Sequence, residues 1–174
     1  MIDLYTIEEF DQAKTKVLKY ILYKKRTEKE VKQKFSSSVD ENLLEDVIEE
    51  LKQNGYLSDE NYVERAVHEF LAINTLSMKE IRNKLYAKGI ESDIIDSYFS
   101  KNTETLEDYE IQCAKKIILK KAQLETIEDE REISNKGKAK KQLEIINKEE
   151  IENYLYKKGY SSENIKTAFE QVEE

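Results

Sequence analysis

Lys29-Glu30-Val31-Lys32-Gln33-Lys34-Phe35 returns fifty positions later as Lys79-Glu80-Ile81-Arg82-Asn83-Lys84-Leu85. Each copy follows a hydroxyl residue set three places before a glutamate, Thr27-x-x-Glu30 and Ser77-x-x-Glu80. That spacing writes a capping box. The hydroxyl accepts from an orphan amide of the first turn, and the glutamate reaches back to the cap amide. Asn147-x-x-Glu150 repeats the spacing and is expected to open a third helix. Ser58, Ser92 and Ser161 are further cap candidates.

Between the caps, apolar residues fall at helical spacing. Val17, Leu18, Ile21 and Leu22 form one stripe, and Leu43, Leu44, Val47, Ile48 and Leu51 form another. Three of the four glycines precede a large apolar residue and end such a stripe: Gly55-Tyr56, Gly89-Ile90 and Gly159-Tyr160. A glycine there closes a helix through positive φ, and the next residue is expected to fold back onto the last turn. Lys84-Leu85-x-x-Lys88-Gly89-Ile90 also lies over Tyr154-Leu155-x-x-Lys158-Gly159-Tyr160, seventy positions on.

The recurrence predicts an all-α chain of about nine helices, built as three tandem three-helix repeats after an N-terminal helix. The expected divisions are 1–26 for the N-terminal segment, then 27–75, 76–124 and 125–174. A charged connector spans 124–138, with a helix break near Gly137. The expected helices are 8–25, 27–35, 41–54, 59–74, 78–88, 92–101, 105–123, 148–158 and 162–173, with a further piece around 136–146. Small units of this kind bury little alone and must dock side by side. Three in a row would make an elongated, curved molecule of about 60 Å.

Composition agrees and narrows the chemistry. The 174 residues contain no proline and four glycines, too few turn residues for an all-β fold. Those glycines cannot write a P-loop or a GxGxxG. One cysteine, Cys113, excludes an internal disulfide framework and reads as a small core residue. The single histidine, His68, reads as a surface or satisfied residue, and no G-x-S-x-G stands in the chain. Glu30, Glu80 and Glu150 recur as capping acids rather than catalytic ones. No cofactor, metal or catalytic site is expected. No apolar run reaches the roughly 18 residues of a spanning helix, and no signal peptide is read at the start. A cytoplasmic, reducing setting is the expectation.

Net charge is −8, but it is patterned. Residues 14–34 carry nine Lys/Arg against two Glu, a local +7, whereas 36–70 carry ten acids against Lys52 and Arg65, a local −8. Candidate binding cations are Lys24, Lys25 and Arg26, then Arg82 and Lys88. Lys115, Lys116, Lys120 and Lys121 follow, read as nearly one helix face, then Lys140 and Lys141, and Lys157 and Lys158. Tyr56, Tyr62, Tyr98, Tyr109 and Tyr160 fall in apolar stripes and are expected in the core.

These residues resemble the RecX regulatory proteins, modulators of the RecA recombinase. The likeness rests on Tyr23-Lys24-Lys25-Arg26-Thr27 running into the first copy and on Asn54-Gly55-Tyr56-Leu57-Ser58-Asp59-Glu60-Asn61-Tyr62-Val63. It extends to the turns at Lys88-Gly89-Ile90 and Lys158-Gly159-Tyr160, and covers about residues 14–172. The chain has Val63 where the family often has Ala. The resemblance implies a non-enzymatic, monomeric regulator that binds the RecA–single-stranded DNA filament and mainly inhibits its growth, ATP hydrolysis and strand exchange. Single-stranded DNA would be met through the filament, and no membrane is involved. Two other readings stay open: a direct DNA-binding protein with helix-turn-helix-like modules, and a helical adaptor for another protein.

Overall fold

The computed structural model describes the backbone of residues 5–132 and 140–173, and the side chains of 5–121 and 148–172. Nine α-helices and no strands occur among the described residues. They are α1 (Ile7–Tyr23), α2 (Glu28–Phe35), α3 (Glu41–Gln53), α4 (Asp59–Ile73), α5 (Met78–Ala87), α6 (Ser92–Lys101), α7 (Thr103–Glu132), α8 (Lys140–Lys158) and α9 (Ser162–Glu173). The chain divides into two compact units. One comprises Met1–His68 with Asn83–Lys101, the other Glu69–Arg82 with Asn102–Glu174.

Each unit has its own apolar core. In the first, Val17 and Ile21 of α1 meet Val31 and Phe35 of α2 and Leu44, Val47 and Leu51 of α3. Tyr20 stands edge-on to Phe35 with centroids 5.6 Å apart, and ion pairing of Lys14 with Glu50 ties α1 to α3 at the surface. In the second, Cys113, Ala114 and Ile118 of α7 pack with Ile151 and Leu155 of α8 and Ile165, Ala168 and Phe169 of α9. Cys113 is fully buried, and its thiol donates to Asn74 Oδ1 at 3.3 Å. His68 is exposed.

Both capping boxes form. The Thr27 hydroxyl accepts from the Glu30 amide at 3.2 Å while Glu30 accepts from the Thr27 amide at 3.2 Å. Ser77 and Glu80 make the same exchange at 3.1 and 2.8 Å. Each hydroxyl has a second bond that joins distant elements. Thr27 donates to the Lys88 carbonyl and Ser77 to the Lys158 carbonyl, both at 2.8 Å. Both cap residues are completely buried. The next amide in each helix is also met by a distant carboxylate: Glu28 donates to Asp59 at 2.9 Å and Met78 to Glu110 at 2.8 Å. Orphan amides of two helix starts are thereby satisfied inside the protein rather than by water.

The carbonyls of Lys88 and Lys158 are available because Gly89 and Gly159 end their helices. Their φ angles are 82° and 91°. Ile90 donates back to the Leu85 carbonyl and Gly89 to that of Tyr86. Tyr160 donates to Leu155 and Gly159 to Tyr156. This Schellman pattern consumes the inner carbonyls and leaves that of the cap residue free for the incoming hydroxyl. The glycines have a second reason to lack a side chain. A Cβ at Gly89 would stand 2.0 Å from Lys29 Cδ, and one at Gly159 would stand 2.7 Å from Lys79 Cβ. Gly55 shares the positive φ, 73°, but has open space around it.

Several expectations need correction. α8 runs unbroken through residue 147, so Asn147 is interior to a helix rather than its cap. The 140–146 stretch, expected as a separate piece, is continuous with 148–158. An asparagine inside a helix costs only a few tenths of a kcal/mol, too little to stop one that packs. α7 reaches 132 instead of 123. The expected break near Gly137 lies outside the described residues. Ser58 and Ser161 cap α4 and α9, accepting from Asn61 and Asn164 at 3.1 Å each. Ser92 is already the first residue of α6, whose first bond goes to the Glu91 carbonyl. An additional box, Thr6 with Glu9, opens α1 and was passed over in the sequence. Tyr56 is 47% exposed, because Leu57 takes the buried place after Gly55.

Two stability outcomes follow from these joints. Thr27→Ala and Ser77→Ala each lose a cap and leave a part-buried carbonyl without its hydroxyl donor, a cost of about 1–3 kcal/mol. Thr27→Ser should cost under about 1 kcal/mol, since Ser77 already performs the same task. Equal urea midpoints for Thr27→Ala and wild type would sink the assignment. Gly55→Ala should cost about 1–2 kcal/mol for φ alone. Gly89→Ala and Gly159→Ala should cost about 2–5 kcal/mol, because strain and overlap add. A denaturation series that ranks Gly55→Ala as the worst of the three contradicts the steric account.

Candidate partner-binding surface

The candidate cations separate into those engaged within the protein and those left to solvent. Arg26 and Lys88 belong to the first group. The Arg26 guanidinium lies 4.5 Å from the Tyr20 ring centroid and 3.9 Å from Glu30. Lys88 donates to Glu30 at 2.9 Å. Desolvation pushes the Glu30 carboxyl up. The Lys88 ammonium, the Thr27 amide and the Arg26 charge more than offset that, and hold it below its ordinary value of 4.5. Lys88 is raised by the same bond. These two cations brace the Thr27 joint, which is a structural task.

Lys24 and Lys25 are exposed and follow α1, which ends at Tyr23 rather than 25, so neither sits in its last turn. Leu22 and Tyr23 beside them are 64% and 89% exposed. Arg82 is half-buried on α5.

In the second unit, the lysines of α7 do not share one face. Six residues of helix turn through about 600°, which leaves Lys115 and Lys121 about 120° apart the short way round. Accordingly Lys115 reaches α9, donating to Gln171 at 3.1 Å, while Lys121 reaches α8 and lies 4.2 Å from the Tyr154 ring centroid. Lys116 and Lys120 are exposed. Lys158 approaches the same Tyr154 ring at 5.6 Å, and Lys157 beside it is exposed. Two cations on one half-exposed ring gain from its electron-rich face while keeping their charge at the surface. In the sequence Tyr154 stands only as part of the turn motif, with no binding role. The signal was present in its register, one residue before Leu155 and four before Lys158. Lys140 and Lys141 begin α8, but their side chains lie outside the described residues.

Unit one also holds a cavity of ≈ 560 Å³ lined by Lys29, Lys32 and Lys52 with Glu28, Asp59, Glu60 and Glu91. Glu28 pairs with Lys32 at 2.9 Å and Lys52 at 3.0 Å. Desolvation raises Asp59, helped by the charges of Glu28 and Glu60, despite the Glu28 amide it accepts. Among the described residues no group of three metal-ligating side chains could hold an ion, and no helix is long and apolar enough to cross a membrane. The described surface offers charge and aromatic rings.

No family model matches the chain. Individual relatives do. A regulatory protein RecX from Staphylococcus carnosus (strain TM300) is 28% identical over 176 residues, which cover 99% of this chain and 58% of the relative. A regulatory protein RecX from Clostridioides difficile (strain 630) is 30% identical over 129 residues, 74% of this chain and 59% of the relative. A solved structure of RecX from Lactobacillus salivarius superposes with a TM-score of 0.74 at 21% identity, covering 97% of this chain and 99% of that one. This is a RecX-like chain. It spans under three-fifths of the length of the two relatives. The all-helical fold of the RecX-like chain matches the solved one, and both relatives carry the name of regulators.

The Glu30 pair gives the RecX-like chain a pH signature. A carboxyl depressed in the folded state adds stability above its ordinary value of 4.5 and loses it as pH falls through the lowered value. Lys88→Met removes the main opposing charge. The stability gap between wild type and Lys88→Met should be widest above about pH 5 and close as Glu30 protonates. Urea midpoints from pH 3 to 7 check this, and a gap that stays constant refutes the pairing.

Proposed function

We propose that this RecX-like chain is a non-enzymatic regulator that binds the RecA filament on single-stranded DNA and limits its growth, ATP hydrolysis and recombinase activity. The observation that carries the reading is the likeness to proteins named as RecX regulators along 99% of the chain. The surface supports it. Exposed lysines at Lys24, Lys25, Lys116, Lys120 and Lys157 are scattered through both units. Scattered modest contacts on one tether raise the effective concentration of each next contact. Three tandem repeats at 27–75, 76–124 and 125–174, acting as a monomer in the cytoplasm, suit a partner that itself repeats.

Direct contact with DNA has one observation in its favour, the Tyr154 ring with Lys121 and Lys158. Against it stands a sequence pI near 5.0. Two measurements separate the readings. Recombinase ATP hydrolysis on single-stranded DNA should fall when the chain is added below equimolar amounts, and unchanged hydrolysis at equimolar amounts defeats the regulator reading. Affinity for DNA without recombinase should be weak, and a steep fall of tight binding with salt would favour the direct reading instead.

A further inference from the structure

Lys29 and Lys79 occupy equivalent places and differ from every candidate cation above. The aliphatic stem of Lys29 lies across Gly89, and that of Lys79 lies across Gly159. In both cases the stem sits so close that a Cβ on the glycine would overlap it. Their ammonium groups have no partner among the described residues. Both residues are exposed. Around Lys29, by contrast, Lys32, Lys52 and Lys88 are all paired.

Packing over a glycine needs methylenes, not charge, and a methionine would serve. The charge also stands at the wrong end of its helix. Lys29 and Lys79 are the second residues of α2 and α5, where the backbone dipole disfavours a cation. Two stems resting on glycines, each ending in a charge with no partner among the described residues, are explained if the charges are used on something outside the chain. A stem that rests on a glycine is partly ordered before binding, so pairing it costs less entropy than pairing a loose lysine.

We propose that Lys29 and Lys79 are preorganised contacts for carboxylates on a protein partner, one contact in each unit. The inference rests on the filament reading above and specifies the chemistry of the docking surface. The surroundings of Lys29 select protein over nucleic acid. Glu28, Asp59, Glu60 and Glu91 share its cavity wall, and Glu28 absorbs Lys32 and Lys52. A run of phosphates would meet this net-acidic wall with repulsion. A mixed protein surface, with an acid opposite Lys29 and a base opposite Glu60 or Glu91, fits it. A partner that repeats one surface along a filament offers the same acid to both units.

The test uses the full chain and the cognate recombinase filament on oligo(dT), with binding read by fluorescence anisotropy. The Lys29→Met, Lys79→Met double variant keeps both stems and loses both charges. It should bind the filament about tenfold more weakly or worse, with an unchanged melting temperature. The Lys29→Arg, Lys79→Arg variant should stay within about threefold of wild type. Lys16→Met with Lys19→Met removes the same charge from loose, exposed lysines and should lose less. Wild type and the double methionine variant binding equally overturns the inference and leaves the filament reading intact. Equal loss in the Lys16, Lys19 control reduces it to bulk charge and overturns it as well. Tight binding of free oligo(dT), lost in the double methionine variant, assigns the lysines to phosphate and does the same. A wild-type chain that ignores the filament overturns the inference together with the reading beneath it.

Discussion

A buried hydroxyl that bonds in two directions is the constraint on which each unit depends. Thr27 and Ser77 each accept from their own helix and donate to the last carbonyl of another. A helix end inside a protein leaves polar groups that water cannot reach, and each one left unmet costs about 1–3 kcal/mol. Here a helix start and a helix finish cancel each other's deficits. The arrangement sets strict terms for its neighbours. The finishing helix must end in a Schellman turn, which demands glycine. The starting helix must carry its second residue across that glycine, which demands a flexible unbranched stem. Thr27, Lys29, Lys88 and Gly89 are thus one joint, and Ser77, Lys79, Lys158 and Gly159 are another.

Much of this was legible in the residues. The boxes at Thr27 and Ser77 and the positive φ at Gly89 and Gly159 are local matters, settled within one turn of helix, and local spacing reveals them. The second bond of each hydroxyl spans 61 or 81 positions, and no local pattern announces it. Asn147 misled for the complementary reason. The cap spacing was present, but nothing at that point compels the chain to leave the helix, and α8 passes straight through. Tyr56 misled because either of two adjacent residues can fold back after a glycine, and Leu57 is the more apolar.

The binding cations were less legible than the fold, since charge alone does not say who is paired. Arg26 and Lys88 read as surface cations in sequence and turn out to brace Glu30. The α7 lysines read as one face because i, i+1, i+5, i+6 looks periodic, yet Lys115 and Lys121 point to different neighbours. Lys29 and Lys79 sat inside the very repeat that decided the fold and drew no functional notice. Their distinction is a stem resting on a glycine and ending in a charge with no partner among the described residues, visible only once the glycine beneath each is in place.

The two joints are not interchangeable, and the difference lies in the carboxylate behind each helix start. Glu110 is buried and accepts from Met78, from Ser161 and from the Asn164 side chain, the last at 2.7 Å. It therefore binds the starts of α5 and α9 to α7 at one point. Asp59 accepts from Glu28 and faces the like charges of Glu28 and Glu60, which, after desolvation, keep its carboxyl raised. A raised carboxyl works against folding at neutral pH and recovers as it protonates, the opposite sense to Glu30 on the same helix start. The first joint therefore holds two acids that respond oppositely to mild acid, while the second gathers its donors onto a single acid. Lys29 stands beside the more finely balanced of the two. The cavity wall itself is mixed, with Glu60 and Glu91 lining it beside Lys29, and a partner of mixed charge complements it.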